Sequence, residues 1–301
     1  MTVETPRSAI AVEAGTDPGP AEKAAVLVEA LPYIRRFAGS VVVVKYGGNA
    51  IAGGSEDDAL ALFAEDVVLM RAVGIRPVVV HGGGPQITEL MGRLGKVPEF
   101  RNGLRVTDAE TIDIARMVLR GQVNPRLVAA INVHGPLAVG MSGEDAGFIS
   151  ATPGHPDLGF VGHVGTVDPA IVQRLLNEDL IPVVATIATD AAGQAYNINA
   201  DTVAGAVAEA IGAEKLVYLT DIEGLRRDVH DPASLIRQTT ADELDALIAD
   251  GTIAGGMIPK VESCTHAVRN GVRAAHILDG RIAHVLLLEI FTDEGIGTMV
   301  K

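Results

Sequence analysis

Several residue types are rare in this sequence, and their scarcity excludes whole classes of protein. Of 301 residues, one is cysteine (Cys264), none is tryptophan, and aromatic residues make up 3%. A single cysteine excludes an internal disulfide and an all-cysteine metal site, and it suits a reducing compartment. The core must therefore consist mainly of valine, leucine, isoleucine and alanine.

Positive charge and long apolar runs are scarce as well. The 24 basic residues face 38 acidic ones, and the formal net charge of −14 disfavours nucleic acid and anionic membranes as partners. No apolar run approaches the length of about 18 residues that a membrane helix needs. The first residues are acidic where a signal peptide would be basic and then apolar. We therefore expect a cytoplasmic protein that binds neither nucleic acid nor membrane.

The chain divides into four predicted regions. Residues 1–20 mix proline, glycine, threonine and glutamate without a period, which indicates a disordered tail. Residues 21–38 predict a helix with a kink at Pro32, and its position before the first strand leaves it available for partner contacts. The segment from Gly159 to Asp168 alternates as an exposed β-hairpin does. We place a lobe boundary after it, which gives lobes of residues 39–195 and 196–301.

Apolar strands alternate with helices in both predicted lobes. Val41–Tyr46 and "RPVVVH" are typical of buried strands, and the helices after them begin at a capping box, "SEDD", and at Pro85. "TDAE" (Thr107 to Glu110) is predicted to cap a third helix that runs to about Leu119. Near the end, "AAHILDG" and "HVLLLEIF" are predicted as strands. This alternation favours an α/β fold, a three-layer αβα sandwich with a central, mostly parallel sheet.

Two of these strands end in glycine loops. In "VVVHGGGP", Gly82 to Gly84 lie between a strand and a helix, at the sheet edge where doubly wound folds bind ligands. Free N–H groups and the positive dipole end of the following helix favour an anion there. A tight turn without a ligand is the alternative, although one glycine usually suffices for a plain turn.

The segment "KYGGNA" repeats this design on a neighbouring strand. Lys45 ends the strand, and Gly47 and Gly48 form the second glycine turn. A transferring phosphoryl group needs positive charge and fixed N–H donors around it. A lone lysine at a strand end is more often a surface residue whose stem packs on the protein, but two paired glycine loops favour a phosphate site.

Three further segments carry candidate ligand groups. Arg105 in "NGLRVTD" could bind a carboxylate with its guanidinium fork or form a structural ion pair. "NINAD" offers Asn197, Asn199 and Asp201 at alternate positions; alternatively, Asn199 caps a helix with Asp201 in its first turn, and both interpretations can hold together. Lys260 ends "GGMIPK" at a predicted helix start and supplies a second cation.

Standard nucleotide and hydrolase motifs are absent from the sequence. It contains no GxxxxGK[ST] loop, no GxGxxG fingerprint, no protein-kinase signature and no HExxH, and "GMSGED" does not fit the GxSxG nucleophile elbow. No cluster with metal-ligand spacing stands out, so we expect any metal to arrive with a nucleotide.

The chain contains, in this order, the segments "VVVVKYGGNA", "VVVHGGGPQI", "NGLRVT", "NINADTVA", "LTDIEGL" and "GGMIPKVE". Together they resemble the motifs of the acetylglutamate kinase family, within the amino acid kinase superfamily. The resemblance covers residues 21–301 and is closer than that to aspartokinases, which typically have "KFGGTS" in place of "KYGGNA". It implies transfer of the γ-phosphoryl group of ATP to the γ-carboxylate of N-acetyl-L-glutamate, the second step of arginine biosynthesis. Mg²⁺ would come bound to the ATP.

The resemblance also implies roles for single residues. Lys45 and Lys260 match lysines that stabilise the transferring phosphoryl group, and Asp201 matches the aspartate that organises them. The substrate positions are matched by Gly83, Gly84, Arg105 and Asn197, and the phosphate or ATP positions by Gly47, Gly48, Gly82, Asn199 and Asp221. Residues 39–195 would bind the amino-acid substrate and dimerise, and residues 196–301 would bind ATP.

Arginine-inhibited members of the family resemble this chain in their additional N-terminal helix and in the ending of the chain. The resemblance therefore implies a hexamer, a trimer of dimers interlaced by residues 21–38, with L-arginine as feedback inhibitor. The predicted effector residues are His276, Glu289, Gly295 and Gly297. Three alternatives stay open: a helix that packs on its own subunit, a sister kinase acting on another carboxylate, and a catalytically weak arginine-sensing assembly protein.

Overall fold

The structure is a computed structural model that describes residues 19–47, 56–101, 103–228, 230–292 and 295–301. The helices in these ranges are α1 Pro20–Phe37, α2 Glu56–Ala72, α3 Gly84–Arg93, α4 Ala109–Val118, α5 Asn124–Asn132, α6 Ala170–Asn177, α7 Ala200–Ile211, α8 Ala241–Ala249, α9 Ile258–Arg269 and α10 Val285–Phe291. The strands are β1 Val41–Tyr46, β2 Arg76–His81, β3 Phe100–Arg101, β4 Leu104–Arg105, β5 Ala138–Ser142, β6 Ile149–Pro153, β7 Val161–Val167, β8 Ile181–Ala185, β9 Ile187–Thr189, β10 Ala195–Ile198, β11 Lys215–Thr220, β12 Gln238–Thr239, β13 Ala274–Asp279 and β14 Thr298–Val300.

The central sheet has eight strands in the order β12-β14-β13-β11-β1-β2-β8-β5. Every neighbouring pair runs parallel except β13 and β14. Because β1 lies between β11 and β2, Lys45 pairs with Tyr218 on one side and Val80 on the other. The prediction of a mostly parallel sheet is confirmed, and the ends of β1 and β2 lie side by side.

The consecutive valines of β1 are buried on both faces of this sheet. Val42, Val43 and Val44 are inaccessible to solvent. Val43 packs into an apolar cluster with residues of α6, α7, α8 and α9, whereas Val42 and Val44 pack into a second cluster with residues of α2, α5 and α10. Helices therefore cover both faces, and the predicted three-layer αβα sandwich is confirmed.

A smaller sheet closes on itself beside the carboxyl edge of the large one. Strands β10, β7, β6 and β9 form this closed barrel. Strand β7, which lies within the segment predicted as a hairpin, pairs antiparallel with β6. Strand β10 runs across residue 195, where the lobe boundary was predicted. The division into two lobes stays a prediction.

The segment "HVLLLEIF" forms helix α10, so the prediction of a strand there is wrong. Val285, Leu286, Glu289 and Ile290 are buried, whereas the two leucines between them are partly exposed. This spacing of three to four residues is the period of a helix. A short apolar run does not by itself separate a helix from a strand. The last strand of the sheet is β14 instead.

The cap of α4 also differs from the prediction, whereas its end at Val118 agrees with the predicted end near Leu119. Asp108, rather than Thr107, caps α4, and its carboxylate accepts a hydrogen bond of 2.8 Å from the N–H of Thr111. Thr107 is buried and donates its hydroxyl to the carbonyl of Arg105. Helix α4 then passes into a π-helix, Leu119–Val123.

Helix α1 covers the segment predicted as the first helix and continues through Pro32. Val26, Leu27, Val28 and Leu31 are 50–70% exposed, whereas Phe37 is buried against the core. An apolar stripe on this helix is therefore uncovered in the single chain. Residues 1–18 of the predicted tail, Gly48, and Ser55 of the predicted capping box lie outside the described residues.

Candidate active site

Three charged side chains meet where the carboxyl end of β1 faces the amino ends of α7 and α9. Nζ of Lys45 lies 3.0 Å from Oδ1 of Asp201, and Nζ of Lys260 lies 2.9 Å from Oδ2 of the same carboxylate. All three side chains are between 11% and 14% exposed. One carboxylate therefore holds two ammonium groups almost out of water, and we call these three residues the triad.

The triad has a surplus of positive charge, since two ammonium groups face one carboxylate. Burial lowers the pKa of Lys45, and the charge of Lys260 lowers it further against the attraction of Asp201. Burial acts to raise the pKa of Asp201, but the two lysines outweigh it and hold that pKa below its usual value. Asp201 therefore stays ionised, and the remaining positive charge favours binding of an anion.

Local sequence explains how the triad assembles. Asn199 caps α7, because its side-chain oxygen accepts hydrogen bonds from the N–H groups of Asp201 at 2.8 Å and Thr202 at 3.2 Å. The capping alternative for "NINAD" is thus correct, and the cap fixes Asp201 in the first turn. Lys260 lies in the first turn of α9, near the positive end of the helix dipole. The carboxylate of Asp201 offsets that unfavourable placement.

A cavity of about 250 Å³ opens beside the triad at the carboxyl edge of the sheet. The predicted site residues that line it are Lys45, Gly82, Gly83, Gly84, Arg105, Asn197, Asn199 and Asp201. A Cβ on Gly83 would lie 2.8 Å from Cδ2 of Leu119, so a larger residue here would displace that side chain. A Cβ on Gly84 would meet open space, which leaves the backbone of that residue accessible to a ligand.

Gly47 lies where the ends of the neighbouring strands β1 and β11 approach each other closely. A Cβ on Gly47 would lie only 2.6 Å from the carbonyl oxygen of Leu219, at the end of β11, and 3.6 Å from Nζ of Lys45. A side chain here would push β1 away from β11 and displace the lysine. The sequence reasoning assigned Gly47 to phosphate binding; the geometry gives it a packing reason.

Arg105 lines the same cavity, and its hydrogen bonds go to uncharged groups. It is 7% exposed, donates to the carbonyl of Gly84 at 2.9 Å and to Oγ1 of Thr88 at 2.7 Å, and lies over the ring of Phe100. Within the described part of the chain, no carboxylate pairs with it. A structural ion pair, the alternative for Arg105, is therefore not seen among these residues. A buried guanidinium that faces a cavity is suited to an anionic ligand.

Asp221, which the sequence predicted for the ATP site, does not line this cavity. It lines a neighbouring cavity of about 450 Å³ together with Ile222, Leu225, Ile253 and Arg281. Its charge nevertheless acts on the triad, because it opposes the lowering of the pKa of Lys45. The cavity that contains Asp221 therefore lies close enough to Lys45 for their charges to interact.

Sequence reasoning missed a buried pair that supports the glycine loop. His81 is fully buried, and burial lowers its pKa to about 4, so the ring is neutral. Its Nδ1 lies 2.9 Å from the carbonyl of Gly82 and must donate, while Nε2 accepts from the amide of Asn124 at 2.9 Å. Asn124 also donates to the carbonyl of Val183. The histidine in "VVVHGGGP" was the available signal, but its partner is distant in sequence.

The predicted effector residues also lie together. His276, Glu289, Gly295 and Gly297 line a third cavity of about 890 Å³, which α1 borders through Tyr33, Arg36 and Phe37. Oε1 of Glu289 lies 2.9 Å from Nδ1 of His276 and 3.2 Å from Nζ of Lys215. Burial lowers the pKa of His276. Burial acts to raise the pKa of Glu289, but His276 and Lys215 outweigh it, so this carboxylate is ionised.

The described ranges contain neither a membrane-spanning helix nor a cluster of metal-binding side chains. None of the helices there is both long enough and apolar enough to cross a membrane. No group of three or more histidine, cysteine, aspartate or glutamate side chains in the same ranges could hold a metal ion.

Fold and site together define a class of protein. The sheet is mostly parallel, its carboxyl edge carries Lys45, Gly47 and the Gly82–Gly84 loop, and Lys260 approaches from α9. These features define an α/β protein whose site is suited to a phosphate-bearing anion.

Comparison with known proteins then gives the family. Residues 40–279 match the model of the amino acid kinase family, and the chain belongs to that family. It is 56% identical over 287 residues to an acetylglutamate kinase of Saccharopolyspora erythraea, with 93% of each chain covered. It is 52% identical over 294 residues to an acetylglutamate kinase of Pelotomaculum thermopropionicum, and this match covers 94% of this chain and 99% of the relative.

A solved structure with the same fold is N-acetylglutamate synthase from Neisseria gonorrhoeae. The TM-score is 0.80 for its complex with coenzyme A and N-acetyl-glutamate and 0.77 for its complex with coenzyme A and L-arginine, both at 30% identity. The match covers 92% of this chain but 63% and 65% of the synthase chain. This chain therefore spans slightly less than two thirds of the synthase.

Proposed function

We propose that this chain transfers the γ-phosphoryl group of ATP to the γ-carboxylate of N-acetyl-L-glutamate, the second step of arginine biosynthesis. The observation that carries the proposal is the pair of lysines that Asp201 holds beside a glycine-lined cavity. Relatives named acetylglutamate kinase, more than 50% identical over nearly the whole chain, supply the identity of the substrate.

The triad suits phosphoryl transfer because the reaction needs little covalent chemistry from the protein. A γ-carboxylate oxygen attacks the γ-phosphorus, the bond to the β-phosphate oxygen breaks, and ADP leaves. The attacking carboxylate is already ionised at neutral pH, so no general base is required. Lys45 and Lys260 stabilise the charge on the transferring group, and Asp201 fixes both before the reaction begins.

The substrate would lie in the cavity of about 250 Å³. Arg105 is placed to bind its α-carboxylate, since the guanidinium is buried and has no acidic partner among the described residues. Asn197, which also lines this cavity, is placed to bind the acetamido group through its side-chain amide. The N–H groups of Gly83 and Gly84, at the amino end of α3, would approach the γ-carboxylate and the phosphate.

ATP would occupy the cavity that contains Asp221 and direct its phosphates towards the triad. Ile222, Leu225 and Ile253 offer an apolar surface for the adenine, and Arg281 adds a positive charge at the wall. Mg²⁺ would arrive as part of the nucleotide, and Asp221 lies near enough to Lys45 to influence its charge. Phosphate groups between the two cavities would therefore meet both lysines.

We further propose that L-arginine binds the cavity of about 890 Å³ as an inhibitor. Glu289 offers a buried, ionised carboxylate for a guanidinium or an ammonium group. Helix α1 borders this cavity, and its exposed apolar stripe suits contact with a second copy of the chain in a hexamer. The homologous synthase has been solved with L-arginine.

The substrate proposal is tested by measuring ADP release with purified protein. N-acetyl-L-glutamate, L-glutamate, L-aspartate and carbamate are supplied in turn at equal concentrations with ATP and Mg²⁺. We expect N-acetyl-L-glutamate to give the highest kcat/KM. Equal or higher activity with aspartate or carbamate would replace this proposal with that of a sister kinase.

The regulatory proposal has its own test. We expect L-arginine to inhibit the wild type, and Glu289→Gln to weaken that inhibition at least tenfold without changing activity in its absence. The double substitution Leu27→Asp, Leu31→Asp should reduce the assembly, measured by light scattering, and spares Phe37, which belongs to the core. A hexamer that survives this change would contradict the role of α1.

A further inference from the structure

Two hydroxyl groups that belong to none of the recognised motifs meet behind Asp201. The side-chain oxygens of Tyr218 and Ser263 lie 2.7 Å apart. They also lie 3.1 Å and 2.8 Å, respectively, from the main-chain carbonyl oxygen of Asp201. Tyr218 is fully buried on β11, and Ser263 follows Lys260 by one helical turn on α9. Three elements of the sheet and its helix layer therefore converge on one carbonyl group.

The chemistry of the two hydroxyls gives the order of the hydrogen bonds. A phenol is the more acidic donor, and burial raises the pKa of Tyr218 well above its usual value, so its proton stays in place. The two shortest distances then form a chain in which Tyr218 donates to Ser263, and Ser263 donates to Asp201. Hydrogen bonds in such a chain strengthen one another.

Gly205 indicates independently that space is reserved for the hydroxyls of Tyr218 and Ser263. It lies one turn after Asp201 on α7, and a Cβ there would be 2.7 Å from Oγ of Ser263 and 3.6 Å from the hydroxyl of Tyr218. Glycine inside a helix is less favourable than alanine. The space that the two hydroxyls require explains why α7 contains glycine at this position.

The ring of Tyr218 contacts the second lysine of the triad. Nζ of Lys260 lies 5.1 Å from the ring centroid, within the range of a cation–π contact. The same nitrogen lies 2.9 Å from Oδ2 of Asp201. Tyr218 thus supports Lys260 through its ring and Asp201 through its hydroxyl.

We infer that Tyr218 and Ser263 are positioning residues for the Lys45–Asp201–Lys260 triad. The hydroxyls hold the main chain of Asp201, and the ring holds the ammonium group of Lys260. Neither residue lines the substrate or the nucleotide cavity. Their loss should therefore lower kcat rather than raise KM, because the triad geometry matters most in the transition state. This inference rests on the function proposed above.

The decisive comparison is between Ser263→Ala and Thr265→Val. Both variants lose one hydroxyl of α9 that donates to a main-chain carbonyl, but the acceptor of Thr265 is Glu262, outside the site. We expect Ser263→Ala to lower kcat about tenfold and to leave KM for both substrates within about twofold. Thr265→Val should keep wild-type kinetics, and Ser263→Thr, which retains a hydroxyl, should restore most of kcat.

Tyr218 allows its ring and its hydroxyl to be separated. Tyr218→Phe keeps the cation–π contact and should lose less kcat than Tyr218→Leu, which removes both. Equal kcat losses for Ser263→Ala and Thr265→Val, or a rise in KM alone, would overturn the inference. A wild-type protein that phosphorylates no acceptor would contradict the proposed function. If the wild type is active and Ser263→Ala has the same kcat, only the positioning role is contradicted.

Discussion

Replacing Lys260 by methionine tests how much the triad contributes to catalysis. The substitution keeps an unbranched apolar stem and removes one positive charge that is 2.9 Å from Asp201 and only 11% exposed. Two unit charges 4 Å apart interact by about 4 kcal/mol at an effective dielectric constant near 20. Part of that energy is already present in the ground state, so the loss in the transition state is smaller.

Removal of one preorganised donor at a developing charge typically lowers kcat by about 10²- to 10³-fold. We expect Lys260→Met to fall in that range, with KM for ATP and for N-acetyl-L-glutamate changed less than about threefold. Steady-state ADP release measures both parameters. Lys96→Met is the matched control, because Lys96 also forms ion pairs, with Asp108 and Glu110, but on the surface.

A second readout of Lys260→Met needs no substrate. The charge of Lys260 lowers the pKa of Lys45, so the pKa of Lys45 should rise in the variant. NMR titration of isotope-labelled lysine side chains follows this change. A raised KM with unchanged kcat, or an unmoved pKa of Lys45, would refute the assignment of Lys260 to the triad.

The remaining predictions concern Arg105, His81 and Gly47. Arg105→Lys should raise KM for N-acetyl-L-glutamate about tenfold or more, because a point charge cannot replace the guanidinium fork; an unchanged KM would remove Arg105 from the substrate site. His81 has a pKa of about 4 when folded against 6.5 for the ordinary side chain, so the unfolded state takes up a proton first as pH falls. Stability should therefore decline by about 3 kcal/mol between pH 6.5 and pH 4, and urea unfolding of His81→Gln should show a smaller decline. Gly47→Ala should lower both stability and kcat, since its Cβ would meet the Leu219 carbonyl at 2.6 Å. A melting temperature and a kcat equal to those of the wild type would contradict the packing role of Gly47.

The fold was predictable because its signals are local and repeated. Runs such as Val41–Val44 leave no polar face, and this is the pattern of a strand covered on both sides. Glycines after two such strands marked the carboxyl edge. The segment "HVLLLEIF" was not predictable by the same rule, because a short, mostly apolar segment fits a buried strand and a buried helix equally well.

The site was predictable where one residue carries its own chemistry. Lys45, Asp201 and Lys260 were recognisable from charge placed beside glycine or at a helix start, and the structure brings them together. Asn124, Tyr218 and Ser263 were not, because each acts through a contact with a residue distant in sequence. Such contacts depend on tertiary packing, which local patterns do not encode.

The chemical nature of the product tests the central claim most directly. Transfer to a carboxylate makes an acyl phosphate, which hydroxylamine converts to a hydroxamate. With N-acetyl-L-glutamate, ATP and hydroxylamine, we expect one N-acetylglutamyl γ-hydroxamate for each ADP released, and neither product from the Lys45→Met, Lys260→Met double variant. Release of ADP without hydroxamate, or hydroxamate formation by the double variant, would contradict phosphoryl transfer to the γ-carboxylate at the triad.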